Sequence, residues 1–180
     1  MDSATLQNIR SRADAKLLYA QIHLNELKGR GTNGGTDFDR AFQESFLFHL
    51  LGAKEAFLIE LNHYYAAGLD PANVRPGNLR EILRSNGVVC QELAELYELE
   101  NNEESWLFHA KQMRDFCAHI DGVARAYHIG GVNHGKVFLC NPKSGRFVEL
   151  HVLDAFTSWL VNMRELLEKL RVSAIRKDVA

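Results

Sequence analysis

Cysteine is scarce in this chain. Cys90, Cys117 and Cys140 are widely spaced and form no Cys-x-x-Cys pair, which excludes a disulfide framework and a cysteine-built zinc site and fits free thiols in a reducing cytosol. Long apolar runs are missing too. The most apolar stretch, Phe46 to Leu61, is interrupted by His49, Lys54, Glu55 and Glu60, and nothing approaches the roughly 18 apolar residues of a membrane span. The opening Met-Asp-Ser-Ala-Thr lacks the basic and apolar regions of a signal peptide, so the expectation is a cytoplasmic protein with no membrane partner. There is no excess of positive charge either. With 21 Lys and Arg against 23 Asp and Glu, the net charge is −2, and no global basic field attracts nucleic acid; any RNA contact needs a local patch. No internal repeat or low-complexity tract is present.

What the chain has is helical periodicity. Its 180 residues are 46% hydrophobic, enough for one domain with a real core. A first helix starts near Ser3 and carries Leu6, Ile9, Ala13, Leu17, Ala20, Leu24 and Leu27 on one stripe. Arg10, Arg12 and Lys16 lie off it and read as a solvated face, with a phosphate contact as the functional alternative. The glycine-rich stretch from Lys28 to Thr36 formally matches Gly-x-Gly-x-x-Gly at Gly29, Gly31 and Gly34. That fingerprint needs a preceding strand, and a helix precedes it here, so it reads as a flexible connector.

A second helix follows Thr36 or Asp37 as its cap and runs to about Tyr65, with Phe38, Phe42, Phe46, Leu50, Ala53, Phe57, Leu61 and Tyr64 inward, and with Gly68 as its stop. It is the expected central core helix. His49 and His63 beside its stripe read as hydrogen-bonded structural histidines. Glu60-Leu-Asn-His63 is half of a di-iron motif, but no second Glu-x-x-His completes it. The remaining candidate set for one metal is His49, His109 and His119 converging across helices, although no His-x-x-x-His pair anchors such a site. No metal and no cofactor are therefore expected.

Beyond the loop from Leu69 to Gly77, which holds two of the three prolines, come a short helix from Asn78 to about Asn86, a helical segment from Val88 to Glu98, and a polar hinge. The spacing then predicts one long helix from Asn102 to Tyr127. Asn102 is its N-cap, Glu103 and Glu104 complement the helix dipole, and Trp106, Ala110, Met113, Cys117, Ile120 and Ala124 form its buried stripe. Lys136 to Cys140 and Arg146 to Leu150 read as two strands joined by Asn-Pro-Lys-Ser-Gly, and a last helix runs from about Asp154 to Val172. The expected fold is all-α: an antiparallel four- or five-helix bundle, one domain over 1–180, with a short β-hairpin between the last two long helices.

On the predicted 102–127 helix, Phe108, Asp115 and His119 fall opposite the apolar stripe and Arg114 on the flank between them. Arg114, a polar residue straight after it, and His119 five residues on, placed late in a small helical chain, resemble the Arg-x4-6-His signature of the HEPN superfamily. The commonest form has Asn after the Arg; this chain has Asp115. A second pair at the same spacing, Arg146 and His151, lies on a predicted strand and its exit, with Phe147 after the Arg. The resemblance implies a helical bundle, usually dimeric, that often cleaves RNA without a metal in toxin-antitoxin and defence systems, so RNA and an antitoxin protein are the partners it suggests beside a second copy of the chain.

By that resemblance Arg114 and His119 divide the work. Histidine titrates near neutrality and moves protons, while the arginine fork suits phosphate oxygens. Asp115 lies at i,i+4 to His119, about 40° round the helix, and is expected to orient the imidazole. One protomer's Arg114 and His119 stand about 140° apart and roughly 7.5 Å along the axis, which leads to a homodimer across the outer face, with Phe108 as an interface residue. The other reading stays open: Asp115 and His119 form a surface pair, Arg114 bridges to Asp121 or a neighbouring helix, and the chain is an inactive HEPN-like bundle that holds a nucleotide or a protein.

Overall fold

The computed structural model describes residues 3–30, 36–119, 125–127, 131–133, 137–140 and 147–176, and the chain is predominantly helical. Helix α2 (Asp37–Tyr64) is the element the others meet. Thr36 starts it with a capping box: the Thr36 hydroxyl accepts the Asp39 N–H at 3.1 Å and the Asp39 carboxylate accepts the Thr36 N–H at 3.2 Å. It then buries Phe46, Leu47, Leu50, Leu51, Phe57, Leu58 and Leu61. The sequence marks Gly68 as the stop, but the chain turns earlier. The amides of Ala66 and Ala67 donate to the carbonyls of His63 and Asn62, with Ala66 itself at φ 46° and Gly68 following at φ 74°.

Helix α1 (Ser3–Arg30) lies antiparallel along α2, as Arg10 meeting Tyr64, Tyr19 meeting His49 and Arg30 meeting Phe38 together require. Ala13, Leu17, Ala20, Leu24 and Leu27 are buried, at the positions the periodicity predicts. Phe38 is not inward. It is exposed on the first turn of α2, beneath the Arg30 guanidinium at 3.9 Å from the ring centroid. Gly31 and Gly34 of the glycine-rich connector lie outside the described residues.

Helices α3 (Pro76–Ser85) and α4 (Gln91–Asn101) are short, and α5 (Trp106–His119) follows. Its cap is Ser105, whose hydroxyl accepts the Leu107 N–H at 3.1 Å. Asn102, the expected cap, instead accepts the Glu104 N–H at 3.0 Å in the turn before it. Leu107, Ala110 and Met113 are buried, and Trp106 and Cys117 pack half-buried against the core. Lys54 of α2 bonds Glu100 of α4, which Lys111 of α5 approaches at 3.6 Å, so one buried carboxylate ties three helices.

The helix predicted to reach Tyr127 does not do so. Arg125–Tyr127 is strand β1, paired antiparallel with β2 (Val137–Cys140), which pairs antiparallel with β3 (Phe147–His151). The stretch reads as helix from its apolar spacing alone, yet it contains Gly122, which costs a helix about 1 kcal/mol relative to Ala, and pairing with β2 supplies the backbone bonds that a helical turn would have made. Ile120, Asp121 and Ala124, and the turn from 141 to 145, lie outside the described residues.

Helix α6 (Val152–Arg176) closes the core. Phe156 stacks on Phe46 at 4.3 Å between ring centroids, and Trp159, Met163, Leu167 and Leu170 are buried behind it. Near its end Arg171, 5% exposed, grips Glu60, 1% exposed, through two hydrogen bonds of 2.9 and 2.8 Å. The same guanidinium bonds Glu168 and Asp14 at 2.9 Å. Burial alone would lower the Arg171 pKa, and Glu60 and Asp14 more than reverse that, so it stays raised. Among the described residues no helix is long and apolar enough to cross a membrane.

A buried pair of this kind is costly to break from one side. Arg171→Ala should destabilise the fold by about 3–5 kcal/mol in a denaturant titration, because Glu60 is left buried without a partner, whereas Arg171→Met combined with Glu60→Leu should recover much of that loss. Equal losses in the single and double variants would show that the cost is packing and not the orphaned charge.

Candidate functional site

Arg114 lies on the side of α5 that faces α1 and α2. It is about one-third exposed, and its Nε donates to Asp115 Oδ1 at 2.7 Å. Asp115, expected to orient His119, accepts from the adjacent arginine here. His119 is exposed at the last position of α5 and, among the described residues, has no hydrogen bond or ion pair. The structure therefore brings Arg114 and Asp115 together and leaves His119 apart. Phe108, expected outward, is half-buried beside His109.

Two clefts meet at Arg114. The smaller, about 260 Å³, is lined by Glu44, Ser45, Phe48, His49, Arg114, Cys117 and Ala118. The larger, about 550 Å³, runs between α1 and α2 towards the turn before α3 and carries Arg12, Lys16, Tyr19, Phe48, Arg75 and Arg114. The histidine that shares a cleft with Arg114 is thus His49, from another helix.

His49 is held by rings rather than by hydrogen bonds. It stacks on His23 at 5.4 Å and 5°, and Tyr19 meets it edge-on at 5.3 Å. The Nδ1 atoms of His23 and His49 are buried with no hydrogen-bond partner among the described residues, so the expected hydrogen-bonded histidine is not what His49 is at that atom. Burial, then the charges of Lys16 and His23, lowers the His49 pKa; burial lowers that of His23.

Among the described residues no three His, Cys, Asp or Glu side chains form a group able to hold a metal ion, so His49, His109 and His119 do not converge. Glu60, half of the di-iron motif, is held by Arg171. The three cysteines are half-buried and in no disulfide among the described residues, and burial, with the Glu92 carboxylate beside it, pushes Cys90 up to about 11, which keeps it protonated near neutrality.

A family model described as a family of unknown function (DUF6586) matches residues 7–173. The chain belongs to that family. No curated protein and no solved structure matches it.

Sequence reasoning missed Arg75, Tyr19, Phe48 and His49 as residues that line the clefts meeting at Arg114. The available signal was phase: Phe48 falls about 200° round the helix from Phe46, so an aromatic faces away from the inward side of α2, while His49, three positions from Phe46, sits on the flank of the stripe. The convergence of α1, α2, the Arg75 turn and α5 is non-local and has no signature in spacing.

The paired histidines give a pH dependence of known sign. Their folded pKa values lie below the ordinary value of 6.5, so their contribution is fully present above about pH 6.5 and falls as the pH drops from there towards the folded pKa. Urea midpoints measured between about pH 7.5 and 5 should fall in the wild type and fall less steeply in His23→Phe. An identical decline in both would contradict this account of the pair.

Proposed function

We propose that this chain is a HEPN-like, metal-independent endoribonuclease that works as a homodimer, with Arg114, His119 and Asp115 in its site. The observation that carries the reading is the position of Arg114, at the meeting of two clefts on a helix that ends in an exposed histidine. Asp115 engages only Nε of the guanidinium, which leaves its two terminal nitrogens as a fork for phosphate oxygens. His119, in contact with solvent, transfers protons between the attacking 2′-hydroxyl and the departing 5′-oxygen, while Arg114 stabilises the crowded phosphate.

On this reading the helices form the antiparallel bundle of that superfamily, and two α5 helices pair so that His119 of one protomer approaches Arg114 of its partner. The half-buried Phe108 sits in that contact. A role as a toxin or defence component, with an antitoxin protein as partner, follows from the same resemblance. The Arg114–Asp115 bond favours a second reading, a HEPN-like bundle that binds a nucleotide or a protein without cleaving, because the arginine charge is already partly neutralised.

The test is cleavage of a labelled RNA in the presence of EDTA. Wild-type protein should cut, and His119→Ala and Arg114→Ala should each lose about a hundredfold or more in rate with little change in melting temperature, since neither side chain is in the core. Phe108→Glu should shift the protein to monomers in light scattering and lower the rate. Full activity in both single variants, or wild-type activity abolished by EDTA, would rule the mechanism out.

A further inference from the structure

The larger cleft has a composition that its own chain does not account for. Arg12 and Lys16 enter it from α1, Arg75 from the turn before α3, and Arg114 from α5, in a protein whose net charge is −2. The one carboxylate in its lining, Glu55, already bonds Lys54 at 2.9 Å. Arg12 and Arg75 are exposed, and among the described residues neither they nor Lys16 has a carboxylate partner. Arg114 is paired with Asp115 through Nε alone, so the cleft gathers three uncompensated cations and one partly neutralised one from three parts of the chain, and these repel one another unless an anion lies between them.

Between the cations is a surface for a flat ring. Phe48 is 60% exposed and Tyr19 stands exposed beside it, while Ala56, Ile59 and Val74 give the cleft an apolar floor. Lys16 lies over the Phe48 ring at 5.0 Å. Gly52, in the middle of α2, makes that possible: a Cβ there would come within 3.3 Å of Lys16 Cδ, so the absence of a side chain lets the lysine stem lie across the helix into the cleft. At about 550 Å³, the space is within the range of small-ligand pockets.

We infer that this cleft binds a nucleoside phosphate, its base against Phe48 and Tyr19 and its phosphate among Arg12, Lys16, Arg75 and Arg114. The ligand is either a free nucleotide or one unit of a single RNA strand; the recognition chemistry is the same. Inorganic phosphate or a lipid headgroup supplies the charge without a ring, and a nucleoside supplies the ring without the charge. The inference shares only Arg114 with the proposed cleavage site and does not depend on cleavage.

Calorimetric titration of the full chain with AMP, adenosine, inorganic phosphate and a 2′-O-methylated hexa-adenylate, which cannot be cut, tests it. AMP should bind about tenfold or more tightly than adenosine or phosphate, and its affinity should fall as salt rises. Arg12→Ala combined with Arg75→Ala should weaken AMP about tenfold and flatten the salt dependence; both residues are exposed, so the fold, checked by thermal melting, should hold. Phe48→Ala should weaken AMP and leave phosphate unchanged. A hexamer much tighter than AMP identifies a strand, and equal affinities identify a free nucleotide. No binding of either, phosphate as tight as AMP, or AMP binding indifferent to the loss of both arginines would overturn the site. A protein that binds AMP at these residues but never cuts RNA would end the ribonuclease reading and leave this one standing.

Discussion

The buried contact of Arg171 with Glu60 sets the phase of the helices that form the site. Two charges taken from water hold together here only because both carboxylate oxygens are bonded and further oxygens occupy the remaining donors. One of those oxygens belongs to Asp14 of α1, and the Arg10 carbonyl lies 3.5 Å from the same guanidinium. With about 100° of rotation per residue, Arg12 and Lys16, each two positions from Asp14, must then point about 160° away from it. The contact that seals one flank of α1 turns the other flank, with its cations, into the cleft. Arg10 and Arg12 look alike in the sequence, yet they serve opposite sides: Arg10 donates to the Tyr64 hydroxyl at 2.7 Å, and Arg12 opens onto the ligand space.

The helices were legible because their apolar stripes repeat within a single element. Ala13, Leu17, Ala20, Leu24 and Leu27 in α1, and Phe156, Leu160, Met163, Leu167 and Leu170 in α6, are buried as their spacing predicts. The errors arise where a distant partner decides. The stripe ran on through Gly122 to Tyr127, but β2 claims Arg125–Tyr127. Glu60 stands out in the sequence only as half of an uncompleted metal motif with His63, and its partner, Arg171, is 111 positions further along. Phe38 fits the inward stripe of α2 but falls on an exposed first turn under Arg30.

The candidate site divides in the same way. Arg114 and its neighbour could be picked out from spacing on one helix, and so could Arg12 and Lys16 as cations off the stripe of another. That Arg114, Arg12, Lys16 and Arg75 face one space depends on how α5 and the Arg75 turn pack on α2, which no local pattern records. Elsewhere the buried charges are matched: Lys54 with Glu100, Arg171 with Glu60 and Asp14. In the cleft, Arg12, Lys16 and Arg75 have no carboxylate partner among the described residues and Arg114 has only the half-exposed Asp115, a charge pattern that suits an external anion.

Amide-resolved NMR during titration with a short, uncleavable RNA tests most directly whether an anion occupies this cleft. The largest shifts should fall at Lys16, Gly52, Arg75 and Arg114, on four separate segments that all line the cleft. Shifts confined to the face that Arg80, Val89 and Tyr97 form between α3 and α4, or none at all, would contradict it.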